Sequence, residues 1–236
     1  MGLAMARGLG KAGARIVIVG RSEEKSSRAL GGLLEDEITA IAVKGDVTQV
    51  NEIRNAVAVA MDKFGSLDAL VNSAGVSMAI PAHQMTDAQW STVISTNLKG
   101  TLMCCQEVFR VMKGTKEKPA KIINIAGMYG FFGGAFVSAY SASKGAVVQL
   151  TRSLAVEWAP RNIRVNAIVP GWFETAMTAP IRMAPDTARG ILRRTPIGRF
   201  GLPEEVAGAA VFLASRASDF ITGACISVDG GFSIAS

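Results

Sequence analysis

An α/β fold with a doubly wound parallel sheet is what this sequence predicts, on three observations. Short β-branched runs alternate along the chain with longer stretches of helical periodicity, the arrangement of a parallel sheet covered on both faces by helices. The chain has 236 residues, 49% of them hydrophobic and 19% charged, enough apolar material for a sizeable core and better suited to one large domain than to two small ones. No internal repeat, low-complexity tract or Pro/Gly-rich linker divides it, so residues 1–236 are expected to form a single domain.

The elements follow in order. The pattern opens on a helix, 3–12, where a doubly wound fold would open on a strand. The first β-branched run is 15–19, with Ile16, Val17, Ile18 and Val19 consecutive, and helix 23–34 follows it. Strand 38–43, helix 50–64 and strand 67–71 repeat the alternation. A long helical stretch, 87–111, separates that strand from the next, 121–126. A second long helix, 138–158, leads to strand 163–168, and helix 203–214 precedes the last strand, 225–228. Six strands and six helices result.

Composition narrows the function. The formal charge is +6, but the basic residues are scattered. Their one cluster, Arg110, Lys113, Lys116, Lys118 and Lys121, also holds Gly114 and Pro119 and reads as a solvated loop without aromatic interleaving. Nucleic-acid binding is therefore not expected, and an anionic cofactor would account for part of the excess charge. No apolar run is long enough to span a bilayer, and Met1-Gly2-Leu3 does not open a signal peptide, so a soluble, cytoplasmic protein is expected. Cys104, Cys105 and Cys225 give neither a disulfide framework nor a metal-ligand spacing.

The chemistry-bearing stretch is Tyr140-Ser141-Ala142-Ser143-Lys144. One helical turn places the phenol and the ammonium on the same face. A phenol with its ordinary pKa near 10 is a poor acid or base at neutral pH, and stabilising its phenolate for that work takes about 4 kcal/mol. A cation about 4 Å away supplies roughly that much at a surface-like dielectric. Taken alone the pair is a common helical spacing, and a solvated face is the better account of it.

Further segments give the pair a context: Asp46-Val47, Asn72-Ser73-Ala74-Gly75, Asn97 within Thr96-Asn97-Leu98-Lys99-Gly100, Ile163-Arg164-Val165-Asn166 leading to Pro170-Gly171, Thr175, and Asp229-Gly230-Gly231. In this order and at these separations the chain resembles the short-chain dehydrogenase/reductase family over essentially its whole length. The resemblance implies a Rossmann-like fold and hydride transfer between a nicotinamide dinucleotide and a carbonyl or secondary alcohol, with a sugar acid or polyol among the candidates. It implies that Tyr140 transfers the proton, Lys144 lowers its pKa and holds the nicotinamide ribose, and Asn97 holds a water that relays protons to the lysine. Asp46 and Val47 would meet the adenine, Asn72, Ala74 and Gly75 the dinucleotide, and Pro170, Gly171 and Thr175 the nicotinamide end. Asp46 also fits a helix N-cap or turn, and Asn72 plausibly pins neighbouring strands. At the end of the run Ile16–Val19, where an NAD enzyme carries an acidic residue, stand Gly20, Arg21 and Ser22. A guanidinium there suits a phosphate, which favours NADP and leaves NAD open.

Two departures stand out. The family's first strand and most of its glycine motif are absent, only Gly2 remaining of the phosphate-binding turn, so the chain is expected to be clipped. In the family's strand order the lost strand is central. Its neighbours would stand roughly 10 Å apart with unpaired edges, and a polypeptide beginning at Met1 is expected to bind its cofactor weakly. The second departure is Gly127, thirteen positions before Tyr140, where the family's catalytic serine usually stands. Losing such a donor typically costs 10²- to 10³-fold in turnover. A catalytically impaired relative serving as a binding or assembly protein is therefore the alternative reading.

Residues 172–200 break the alternation and read as a substrate flap, in which Arg182, Arg193, Arg194 and Arg199 could favour an anionic substrate, although solvated flap residues also explain them. Phe131-Phe132-Gly133-Gly134-Ala135-Phe136 is a candidate pocket wall. His83, without a partner in the sequence, reads as surface. The two long helices carry more apolar positions than one sheet face can cover, as the tetramer-forming helices of the family do, so a homotetramer is expected.

Overall fold

The computed structural model describes residues 1–235. In chain order these form α1 (Gly2–Lys11), β1 (Ile16–Gly20), α2 (Glu23–Glu35), β2 (Ala40–Lys44), α3 (Val50–Phe64), β3 (Ala69–Asn72), α4 (Asp87–Ile94), α5 (Gly100–Phe109), β4 (Ala120–Ile125), α6 (Ser138–Trp158), β5 (Ile163–Pro170), α7 (Ala179–Arg182), α8 (Pro185–Arg194), α9 (Ala207–Ala214) and β6 (Cys225–Val228). Every strand pairing is parallel.

The period-2 alternation of the central strands builds both halves of the core. On one face Ile122 and Val165, fully buried, pack with Cys105 and Val108 of α5 and Leu154 and Trp158 of α6. On the other, Ile123 and Ile168 pack with Met5 of α1 and Ala210 and Leu213 of α9. Each buried aliphatic side chain of this kind contributes about 1.5–3 kcal/mol. All six residues of β4 are buried, which is why a Lys (Lys121) within it needs Ser218 and Asp219 as partners at 3.1 and 2.7 Å.

The sheet divides into two. Strands β3-β4-β5-β6 form one, and β1-β2 the other, so β1 and β3 each carry one edge with no partner strand. The N-terminal turn of α1 lies at this division: Met1 packs with Val71 of β3, and a Cβ at Gly2 would lie 3.2 Å from Ser73 Oγ.

Several expected boundaries are corrected. The helix read as continuous over 87–111 is α4, a π-helical stretch Ser95–Lys99 and α5. Ile38, read as strand, instead closes the turn after α2, its N–H donating to Leu33 O behind Glu37 at φ 59°. The helix read from 203 begins with a 3₁₀ turn, Pro203–Val206. The irregular 172–200 segment contains α7 and α8, the latter with Pro185 in its first turn, where a missing N–H costs nothing.

Candidate active site

The carboxyl ends of β3 and β4 converge on Lys144. Its Nζ is withdrawn from solvent and donates to Ile125 O, the last residue of β4, at 2.7 Å, while lying 5.7 Å from the centre of the Tyr140 ring. Burial lowers the Lys144 pKa to about 8 and raises that of Tyr140 to about 12. Desolvation is the first cause of both shifts, and the ammonium donates to a main-chain carbonyl, not to the phenolic oxygen. One of its three N–H donors is used, and two have no partner among the described residues.

Asn97 is 1% exposed and fixes the loop above the lysine. Its Oδ1 accepts from Val76 N at 2.8 Å, and its Nδ2 donates to Val76 O at 2.9 Å and to Ser143 Oγ at 3.0 Å. The π-helical turn supplies the reach: the extra residue widens the helix where this side chain clamps the loop. Ser143 Oγ in turn donates to Tyr140 O at 2.7 Å, so Asn97, Ser143 and Tyr140 form one chain of contacts. Gly75 lies over the same groups, a Cβ there falling 3.4 Å from Asn97 Oδ1 and 3.6 Å from Lys144 Nζ. Gly127 adjoins Tyr140, its absent Cβ 3.0 Å from the phenolic oxygen; its backbone, φ 178°, is extended and admits any residue.

Toward β1 and β2 the arrangement is looser. Arg21 is 69% exposed and lies 3.8 Å from Asp46 Oδ2. Asp46 heads a turn in which its Oδ1 accepts from Thr48 N and Oγ1, both at 2.8 Å; chiefly that backbone bond holds its carboxyl below the usual range. Ser22 caps α2, accepting from Lys25 N at 3.3 Å. Val47 packs where a Cβ at Gly100 would sit. Ala74 is exposed in the loop after β3. The Asn72 amide nitrogen donates inward, to Asn124 Oδ1 at 2.9 Å and Cys105 Sγ at 3.2 Å, so its N–H groups join strands. Pro170 ends β5 in register with Val228, and Gly171 follows against Asp229, where a Cβ would lie 2.6 Å from the Asp229 Cα. The Thr175 hydroxyl meets that of Thr178 at 3.3 Å. His83 is exposed, and among the described residues no group of His, Cys, Asp and Glu could hold a metal.

A family model described as enoyl-(acyl carrier protein) reductase matches residues 1–233. The chain belongs to the short-chain dehydrogenase/reductase family. As such it is an NAD(P)-dependent oxidoreductase moving hydride to or from a carbonyl or secondary alcohol. It is 40% identical over 235 residues to the 5-keto-D-gluconate 5-reductase of Escherichia coli strain K12, covering 100% of this chain and 92% of that protein. It is 39% identical to the 2-dehydro-3-deoxy-D-gluconate 5-dehydrogenase of Formosa agariphila, covering 98% of this chain and 88% of the relative. Among solved structures, a gluconate 5-dehydrogenase from Burkholderia cenocepacia in complex with NADP and tartrate superposes with a TM-score of 0.93 at 35% identity, over 100% of this chain and 91% of the other.

Two parts of this dehydrogenase/reductase site escaped sequence reasoning. Ser143 sits inside the motif but reads as an exposed helical serine until Asn97 is brought to it from 46 residues away. An aromatic wall joins Tyr129, Phe132, Trp172 and Phe232, with ring centres 5.8 to 6.4 Å apart; Phe132 was a candidate, whereas Phe232 lies a hundred residues on with no local signal.

Proposed function

We propose that this chain interconverts a ketone and a secondary alcohol on a sugar acid of the gluconate type, with NADP(H) as the hydride partner. The observation that carries the reaction is the withdrawn ammonium of Lys144, held between Ile125 O and the Tyr140 ring beneath Gly75, with two donors to spare. Those donors suit ribose hydroxyls, and the close passage of Gly75 suits a flat ligand, so the residues fit the dinucleotide. When bound, NADPH supplies a hydride to the carbonyl carbon.

The chain's own residues handle the proton. At neutral pH a phenol with a pKa near 12 is protonated, and Tyr140 donates to the oxygen of a ketone as negative charge develops there. Lys144 steadies the resulting phenolate, and Asn97, through Ser143 and Val76, keeps the loop and the tyrosine's helix in one geometry. Gly127 offers no hydroxyl to the substrate oxygen, which supports slow turnover rather than none. Arg21 and Asp46 adjoin at the ends of β1 and β2, an arrangement that supports recognition of a 2′-phosphate and an adenine, with Ser22 and Val47 next to them in sequence; Gly2, beside Ser73, and Ala74 are assigned to the dinucleotide. Pro170, Gly171 and Thr175 are assigned to the nicotinamide end.

The sugar-acid class rests on the relatives' activities and on the tartrate bound by a neighbour of similar fold. Exposed apolar side chains, Trp90 on α4 and Val156 on α6 at 41% and 80%, support a homotetramer built on the long helices, working in the cytoplasm. The test is consumption of NADPH, followed by absorbance, with 5-keto-D-gluconate. Oxidation of D-gluconate should rise toward alkaline pH as Tyr140 loses its proton. Turnover of neutral ketones alone would refute the substrate class.

A further inference from the structure

The flap arginines, alike in sequence, differ in the structure. Arg182 is held by Glu174 at 3.2 Å, Arg189 by Asp186 at 3.3 Å, and Arg199 by both oxygens of Glu205, at 2.7 and 2.6 Å. Arg193 and Arg194 are both exposed, and among the described residues Arg193 meets neither a carboxylate nor a ring. Arg194 stands apart. It ends α8, and no carboxylate among the described residues lies within 4 Å of it. Its guanidinium carbon lies instead 5.0 Å from the centre of the Phe132 ring and 4.5 Å from that of Phe232.

Stacking of this kind uses the face of the guanidinium and leaves its edge free. A guanidinium carries five N–H donors in a flat fork matched in geometry to a carboxylate, and here two rings lie beside it. The wall these rings belong to leads to the reacting groups. Phe132 meets Tyr129 at 5.8 Å, Phe232 meets Trp172 at 6.4 Å, and Tyr129 follows Gly127, which borders the Tyr140 hydroxyl. The wall carries a second unspent donor, since Trp172 Nε1 is buried without a hydrogen-bond partner. A ligand carrying an anionic end and hydroxyl groups would satisfy both.

We infer that Arg194, stacked on Phe132 and Phe232, receives the carboxylate of the substrate and so sets the preference for sugar acids over neutral sugars. This rests on the sugar-acid reading above. Contact with two rings restricts the arginine before the ligand arrives, so less side-chain freedom is lost on binding than at an arginine without such contacts.

The experiment compares 5-keto-D-gluconate with L-sorbose, the same ketose with a hydroxymethyl group in place of the carboxylate, in wild type, Arg194→Ala and Arg194→Lys. In the wild type kcat/KM should favour the acid. Arg194→Ala should reduce that preference by about 30-fold or more, as expected for loss of a charge-assisted bidentate pair, and Arg194→Lys should restore only part of it, keeping the charge but not the fork. Calorimetric titration of D-gluconate against D-glucitol reads the same preference without turnover. An Arg194→Ala variant that loses both substrates equally would show a structural tether and overturn the inference, as would one that leaves the preference intact. A wild type that prefers L-sorbose, or binds D-glucitol as well as D-gluconate, would instead overturn the sugar-acid reading itself.

Discussion

The two sides of the divided sheet are built differently. Around β3 and β4 the buried side-chain amides near the site have their partners inside the fold. Asn97 makes three hydrogen bonds, Asn72 and Asn124 bridge adjacent strands, and Thr151 receives Asn124 at 2.9 Å. Around β1 and β2 the corresponding groups are solvent-facing: Arg21 is more than two-thirds exposed, and its contact with Asp46 is 3.8 Å long. The lesson is that the half proposed to handle the proton is preorganised by burial, whereas the half proposed for the nucleotide presents an exposed charge that a ligand would have to order.

The largest expected effect breaks the first half. Tyr140→Phe should lower kcat by 10³-fold or more, measured as NADPH oxidation, while leaving NADPH affinity, followed by fluorescence, within a few-fold; equal losses in both would make the tyrosine a binding residue only. Next comes the electrostatic cost of burial. Folded Lys144 releases its proton near pH 8 and the unfolded one near 10.5, so across that window the unfolded chain holds more protons and stability rises with pH. The gain is at most about 3 kcal/mol, and denaturant midpoints measured from pH 7 to 10 should show the rise in wild type and lose it in Lys144→Met. Above pH 10 Tyr140 acts in the opposite sense: the unfolded phenol ionises first and stability falls.

Gly127→Ser should then raise kcat about tenfold. The backbone there is already extended, and the Cβ would stand 3.0 Å from the phenolic oxygen, so a small shift of the tyrosine is its only steric demand. Unchanged kcat would mean that this position is not where the missing donor belongs. The smallest effect sharpens the nucleotide half: Arg21→Ala should cut the preference for NADPH over NADH about fivefold, as suits one exposed charge, and leave kcat with saturating NADPH unaltered.

These contrasts also mark what the sequence could reveal. The six strands were legible because β-branched runs report local burial, and the Tyr140 and Lys144 spacing was legible because it lies within one helical turn. What depended on distant chain was not. The π-helical stretch is stabilised by Asn97 reaching Val76, 21 residues away, and nothing in Ser95–Lys99 itself announces it. The sequence puts a cation beside a phenol but does not show that Ile125 O, 19 residues upstream of the lysine, accepts one of its N–H donors, nor how far both groups are removed from water. Arg194 could be told from Arg193 only once Phe232 was in place.

The one-residue excess at Ser95–Lys99 has a consequence for how the neighbouring helices divide their labour. A single added residue turns everything beyond it by about 100°. Upstream, α4 buries Val93 and leaves Trp90 partly in solvent; downstream, Cys105 of α5 packs into the core against Ile122 and Val165. Deleting one residue here would give a smoother rod and yet swing that thiol away from the sheet, so the irregular turn acts as a phase shifter between the buried stripes of two successive helices.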